Sequence, residues 1–255
     1  MIFFVIVLAL VQGLTEFLPI SSSGHLVLLN KFFGIENDFL LLSVILHVAT
    51  LFSVLIVLKK DVKEIITHPF GNLSKKLITA TIPTVIIVLL FKSFFDDAFN
   101  GKYLPFCFML TAVLIVVSEF VSSRQSKKET KQISFLNALS MGVAQAIAVL
   151  PGISRSGATI CTGLIGGCDR KQVAHFSFLM SVPIILASLA LEVFEYIKLG
   201  QTVTLMWYEL IVGFLVALVT GIFAVKFMLK IIEKHNLLWF AVYLVIISFV
   251  SFFVL

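Results

Sequence analysis

Gln12-Gly13-Leu14-Thr15-Glu16-Phe17-Leu18-Pro19-Ile20-Ser21-Ser22-Ser23-Gly24-His25 is one of two polar stretches in an otherwise oily chain. The other is Gln145-Ala146-Ile147-Ala148-Val149-Leu150-Pro151-Gly152-Ile153-Ser154-Arg155-Ser156-Gly157-Ala158-Thr159. At a constant offset of 133 positions, Gln12 meets Gln145, Ile20 meets Ile153, Ser21 meets Ser154, Ser23 meets Ser156 and Gly24 meets Gly157. Together they hold a carboxylate (Glu16), an imidazole (His25), a guanidinium (Arg155) and a set of hydroxyls. Such groups are costly in hydrocarbon unless they serve a site. Their duplication points to one site built from two halves.

The surroundings of these stretches set the protein class. Of 255 residues, 60% are hydrophobic, 13% are charged and 26 are Phe; mean hydropathy is +1.11. A soluble domain needs a charged exterior, so this composition reads as a polytopic helical membrane protein. The formal charge of +5 does not indicate nucleic acid, because the lysines gather in the joints between apolar segments. The apolar start from Ile2 to Val11 lacks a basic lead and a small-residue cleavage site, and is read as part of the fold. Cys107, Cys161 and Cys168 are scattered among apolar neighbours and read as inert thiols rather than a metal or disulfide set.

A helix needs about 20 apolar residues to cross the hydrocarbon. Six segments qualify, near 39–58, 77–95, 103–122, 172–194, 206–228 and 237–255. Cations cluster at Lys59, Lys60, Lys63, Lys75 and Lys76, at Arg124, Lys127, Lys128 and Lys131, and at Lys226, Lys230 and Lys234. The other joints are poor, with Lys92 and Lys102 beside Asp96 and Asp97, and Lys198 beside Glu195. The positive-inside rule puts the rich joints in the cytoplasm, Arg170 and Lys171 with them, and the C-terminus outside. Residues 135–167 then start and finish on the cytoplasmic side, so they dip in and return, turning at Pro151 to Arg155. Residues 1–33 dip in from outside and turn at Pro19 to Ser23; arms of about 10–14 apolar residues are too short to cross.

The expected fold is therefore an all-α polytopic membrane protein with six transmembrane helices and two re-entrant helix-loop-helix pairs in an inverted-topology repeat. One transmembrane domain covers 1–255, with repeats at about 1–122 and 135–255 joined by a basic cytoplasmic loop, 123–134. The polar turns meet near the midplane, where irregular backbone is tolerated only inside protein.

Each turn feeds a helix start rich in Ser and Gly. Free N–H groups there favour an anion, and Gly lets it approach the backbone; Ser is equally a good N-cap. Arg155 tilts the pair toward phosphate, since its planar fork matches phosphate oxygens. Gln12 and Glu16 share a helix face. Glu16 suits a hard divalent cation or proton transfer, with capping of His25 or Arg155 as the plain alternative. His25 follows Ser22 and Ser23 closely enough to activate one of them. Thr159, one turn beyond Arg155, adds a hydroxyl. His47, mid-span without a partner in sequence, is structural or site-lining, undecided. Glu119 and Glu192 near span ends reach an interface, and His68, His175 and His235 are bland.

The runs 12–25 and 151–159 resemble the two signatures of the undecaprenyl-diphosphate phosphatase family of bacitracin-resistance type. Phe176-Ser177-Phe178-Leu179 followed by Val182-Pro183 is similar to the family's stretch after the second signature. The resemblance covers essentially the whole chain. It implies hydrolysis of undecaprenyl diphosphate to undecaprenyl phosphate and phosphate, recycling the lipid carrier of cell-wall synthesis in the bacterial inner membrane. It also implies a divalent cation, Mg or Ca, on Glu16, and bacitracin as a competitor that sequesters the same lipid. By the motif, Glu16, His25, Ser22, Ser154 and Arg155 carry catalysis, while Gln12, Ser21, Ser23, Gly24, Ser156, Gly157 and Thr159 join substrate binding. Members often have Glu where this chain has Gln12, which bears on any mechanism needing two carboxylates. The attacking group is Ser22, activated by His25, or a water held by His25 and Glu16. Rival readings are a polyprenyl-phosphate flippase on the same inverted-repeat site, an intramembrane serine hydrolase and a purely structural membrane protein. Oligomeric state is not legible.

Overall fold

The computed structural model describes residues 1–33, 39–125, 130–199 and 205–255. Lys127 and Lys128 of the expected cytoplasmic cluster lie outside the described residues, as do the side chains of Asp96, Glu192 and Glu195. Among the described residues the regular secondary structure is helical apart from one isolated bridge, Lys131 to Cys168. The helices are α1 (Ile2–Thr15), α2 (Ser22–Phe33), α3 (Phe39–Val57), α4 (Lys59–Thr67), α5 (Asn72–Leu90), α6 (Lys92–Ala98), α7 (Leu104–Arg124), α8 (Phe135–Ile147), α9 (Arg155–Ile165), α10 (Arg170–Leu199), α11 (Trp207–Lys234) and α12 (Leu238–Val254).

Five of these, α3, α5, α7, α10 and α11, are long and apolar enough to cross a bilayer. The sixth expected span is α12, an apolar helix of 17 residues. Boundaries moved where polar residues extend a helix. The Gly71 N-cap starts α5 early enough to include Lys75 and Lys76, and α5 stops at Leu90 rather than 95. The short helix α6 then takes the residues that the sequence reading joined to that span. The basic joint after α3 also holds a helix, α4, with no buried residue. Large apolar side chains face outward, among them Leu90, Phe194, Trp239 and Phe253. That is the surface a lipid-solvated protein presents, and it is opposite to the polar skin of a soluble one. The protein is an all-α, multi-pass membrane protein.

The four arms of the polar stretches have 14, 12, 13 and 11 residues. At 1.5 Å per residue they reach about 17–21 Å, short of a hydrocarbon core of roughly 30 Å. Their packing partners exchange between the halves. Helix α1 lies on α11, and α8 lies on α5, while α3 crosses α10 and α7 crosses α12. Close approach explains the first two pairings. A Cβ at Gly13 would sit 1.9 Å from Thr220 Oγ1, and one at Gly142 would sit 2.1 Å from Ala80 O. Small residues let such helices touch through their backbones. Hydroxyls then tie the crossings: Thr84 Oγ1 donates to Gly142 O at 2.9 Å and Ser248 Oγ to Pro105 O at 2.8 Å.

Glu119 differs from its sequence assignment. It is 7% exposed and forms a two-pronged ion pair with Arg170, while its Oε1 also accepts from Leu237 N at 2.9 Å. Arg170 Nε donates in turn to Ile232 O at 2.9 Å. The carboxylate thus joins α7, α10, α11 and the start of α12 instead of reaching an interface. The three cysteines are free and buried, as their apolar neighbours suggested.

Candidate active site

Both polar turns are built by a serine with two tasks. Ser154 is the N-cap of α9: its Oγ accepts from Gly157 N at 3.1 Å, and it donates across to Leu18 O at 3.3 Å on the first turn. Ser21, at the corresponding place, accepts from Gly24 N at 3.3 Å within its own helix start. It also accepts from Gly152 N at 3.1 Å on the second turn. Each hydroxyl therefore caps its own helix and reaches the opposite turn. Ser21 does so with φ +69°, a left-handed backbone that side chains rarely adopt.

The glycines serve this contact too. A Cβ at Gly24 would lie 2.6 Å from the Phe108 ring and 2.9 Å from Gly152 Cα, and one at Gly157 would lie 3.3 Å from Pro19 Cβ. Their lack of a side chain lets the turns press together. Two N–H groups at the start of α9 are engaged, Gly157 N by Ser154 Oγ and Ala158 N by Ser154 O at 2.7 Å. Capping, the alternative named for these serines, is what the geometry displays.

Between the turns lies a cavity of about 210 Å³, walled by Glu16, Ser21, Ser22, Ser23, Ser154 and Arg155 and by apolar residues that include Phe39 and Phe99. Glu16 closes α1 and is 7% exposed. Its Oε1 accepts from Arg155 Nη2 across the two stretches. Its Oε2 accepts from Ser22 Oγ at 2.5 Å and from Gln12 Nε2 at 3.0 Å. An acid, a guanidinium and a hydroxyl thus converge on one point. A carboxylate held this way is positioned to take the serine proton, and the remaining N–H groups of Arg155 are free to meet an anion.

Other candidates sit elsewhere. Gln12 is fully buried behind Glu16. Ser156 donates to Leu18 O at 2.9 Å, and Thr159 meets Ser177 Oγ at 2.6 Å, joining α9 to α10. Neither lines the cavity, nor do Gly24 and Gly157. His25 also lies outside the wall. Its Nδ1 lies 2.7 Å from Ser21 O; a carbonyl only accepts, so Nδ1 carries the proton. Its Nε2 is 2.6 Å from Tyr243 OH, and the ring stacks on that tyrosine at 5.7 Å with its edge toward Phe108. Both nitrogens are engaged away from Ser22, and the Nδ1 bond holds the carbonyl of Ser21, the residue with the left-handed backbone. Sequence reasoning missed Tyr243, Thr111 and the assignment of His47. Thr111 Oγ1 accepts from Ser154 N at 3.2 Å and donates to Gly152 O at 3.3 Å. His47 lines the cavity, and its signal was a lone imidazole in an apolar helix one turn after Ser43.

Among the described residues no three His, Cys, Asp or Glu side chains come together as a ready metal cluster. One observation does fit a hard cation. Gln12 Oε1 is buried with no hydrogen-bond partner, one helical turn from Glu16. A carboxylate and an amide oxygen are hard donors of the kind Mg²⁺ or Ca²⁺ takes, but Gln12 lies behind the cavity wall and only Glu16 faces the space a phosphate would fill.

The fold and the cavity define a class: a multi-pass helical membrane protein with an acid–guanidinium–hydroxyl site enclosed between two polar turns. Comparison with known proteins gives the family. Residues 5–250 match the model of the family described as bacitracin resistance protein BacA. The undecaprenyl-diphosphatase of Carboxydothermus hydrogenoformans is 42% identical over 247 residues, 95% of this chain and 93% of that protein. That of Halothermothrix orenii is 43% identical over 248 residues, with the same coverage. That of Christiangramia forsetii is 38% identical, over 97% of this chain and 96% of its own. The chain belongs to the BacA family.

Proposed function

We propose that this protein is an undecaprenyl-diphosphate phosphatase, releasing phosphate from the lipid diphosphate and leaving undecaprenyl phosphate for reuse in cell-wall synthesis. The observation that carries the reading is the Ser22–Glu16–Arg155 constellation in the cavity, on a chain that belongs to the BacA family. A cavity of about 210 Å³ is smaller than the roughly 300–1,000 Å³ of sites that enclose whole drug-sized ligands. It suits a diphosphate head, while the prenyl tail leaves past Phe39 and Phe99 toward lipid.

The residues divide the work as follows. Arg155 turns its free N–H groups to the terminal phosphate and holds charge as it moves during transfer. Glu16 takes the proton of Ser22 along their 2.5 Å hydrogen bond, and Ser22 Oγ attacks the terminal phosphorus. The bond from that phosphorus to the bridging oxygen breaks, and undecaprenyl phosphate departs. Water then attacks the phosphoserine, phosphate leaves, and Glu16 returns the proton to Ser22 Oγ. Among the two attacking groups the sequence allowed, the direct Ser22–Glu16 contact favours the serine. Gln12 braces Glu16 through its amide N–H, and His25 with Tyr243 fixes the turn that presents Ser22. Mg²⁺ or Ca²⁺, if held by Glu16, would offset phosphate charge.

The same reading makes residues 1–122 and 135–255 inverted repeats, supported by the exchanged helix pairings and the matched double duties of Ser21 and Ser154. It places the protein in the bacterial cytoplasmic membrane with the lysine-rich joints inside, and bacitracin competes for the same lipid. The test is phosphate release from purified, detergent-solubilised protein given a prenyl diphosphate, with and without a chelator. Terminally labelled substrate should leave label on Ser22 after an acid quench. Wild-type turnover by Ser22→Ala would overturn the nucleophile, and absence of any phosphate release would overturn the function.

A further inference from the structure

His47 occupies the wall of the cavity with one nitrogen unused. It lies on α3, an element outside both polar stretches. Its Nδ1 lies 2.8 Å from Ser43 O and 3.3 Å from Ser43 Oγ, so Nδ1 carries a proton directed at the carbonyl. Among the described residues no hydrogen bond reaches Nε2. The neighbouring polar groups are already engaged: Ser22 with Glu16, Ser21 with Gly152 N, Ser154 with Leu18 O. A ligand could meet His47 Nε2 without breaking any of these bonds.

Charge gives the second line of evidence. Three side chains on the cavity wall can ionise, namely Glu16, Arg155 and His47. Glu16 and Arg155 are paired and cancel. A lipid diphosphate brings at least two negative charges into this space, more than the one guanidinium already shared with Glu16 can meet. His47 lines the same cavity as Glu16 and Arg155, so it borders the place where the phosphates must sit. A cation on Glu16 would add charge there, yet it would not replace a directed side-chain contact.

We infer that His47 is a substrate-contacting residue of this site, its unused Nε2 meeting an oxygen of the diphosphate while Nδ1 holds Ser43. This rests on the lipid-diphosphate reading above. With the Nδ1 proton on Ser43 O, Nε2 accepts from a hydroxyl of a protonated phosphate, and a bond to an ionised group is charge-assisted and strong. Ser43 fixes the ring so that little order is lost when substrate arrives. The imidazole that serves the substrate is then the one outside both motifs, while His25 inside the first motif holds the backbone.

The experiment compares three variants under steady-state phosphate release from a prenyl diphosphate, in detergent micelles. His47→Ala and His47→Phe remove the ring nitrogens, the second keeping most of the ring's volume. His47→Gln restores an amide, able to accept or donate, near the position of Nε2. The inference expects kcat/KM to fall roughly 10- to 100-fold in Ala and Phe, with most of the loss in KM. Recovery to within a few-fold of wild type is expected in Gln, and all three should keep the wild-type unfolding midpoint. A Gln variant no better than Phe would overturn it, as would Ala or Phe with unchanged KM and kcat. If Ala fails to fold, the Gln–Phe comparison still decides. Wild-type protein that releases no phosphate would defeat the proposed function itself; active wild type with indifferent His47 variants would defeat only this inference.

Discussion

Ser21 offers the sharpest test of how the two turns are held, because its backbone and its side chain work in opposite directions. Its φ of +69° costs a non-glycine residue about 1–2 kcal/mol, whereas its Oγ accepts from two buried N–H groups, Gly152 N and Gly24 N. Ser21→Ala keeps the strain and orphans both donors. At ~1–3 kcal/mol for a buried donor left unsatisfied, and with the 3.3 Å bond to Gly24 weaker than the 3.1 Å bond to Gly152, the loss is about 2–4 kcal/mol. Ser21→Gly orphans the same donors but removes the strain. After subtracting the extra entropy of an unfolded glycine, it should be better than Ala by about 1 kcal/mol. That is roughly a fivefold difference in the unfolding equilibrium. Sodium dodecyl sulfate titration in mixed micelles, followed by far-ultraviolet circular dichroism, measures both variants against wild type. The order wild type, Gly, Ala is expected. Equal stability for Gly and Ala would show that the strain at Ser21 does not exceed the entropy cost of glycine, and a Gly variant at or above wild type would show that the hydrogen bonds to Gly152 and Gly24 contribute no more than about 1 kcal/mol, the strain relieved.

Arg155→Lys should lower kcat/KM for prenyl diphosphate at least about 100-fold, since a point charge cannot hold Glu16 and phosphate oxygens together as a fork does; phosphate release checks it. Gly24→Ala should destabilise by about 1–3 kcal/mol through overpacking and more than Gly157→Ala. Its added carbon would lie 2.6 Å from the Phe108 ring, against nearest contacts of 3.0–3.3 Å at Gly157; unfolding midpoints rank the two. Glu119→Gln leaves Arg170 without its carboxylate. Because the arginine side chain stays 26% exposed, the expected loss is about 2–3 kcal/mol rather than the full cost for a deeply buried pair. Turnover per folded molecule should remain within twofold of wild type.

Polar groups in hydrocarbon are conspicuous, so the two stretches, their contact and the meeting of Glu16 with Arg155 were legible before any coordinates. Their 133-residue offset carried the pairing. What a charged joint does was not legible: Lys59 to Thr67 looks like a loop by charge, yet it forms α4 with no buried residue. Long-range partners were hidden for a simpler reason. His25 meets Tyr243, 218 positions away, and nothing local distinguishes a histidine that braces a turn from one that activates a serine. The same ambiguity holds for every serine at a helix start, since the oxygen that caps is the oxygen that would bind phosphate. What separates the roles is whether the atom is already engaged. By that criterion Ser21, Ser154 and His25 hold the frame, Ser22 is engaged with the base that would activate it, Arg155 keeps donors free and His47 keeps Nε2 unengaged. Function in this site follows from the bonds left unmade, and those are visible only once both turns and α3 are in place.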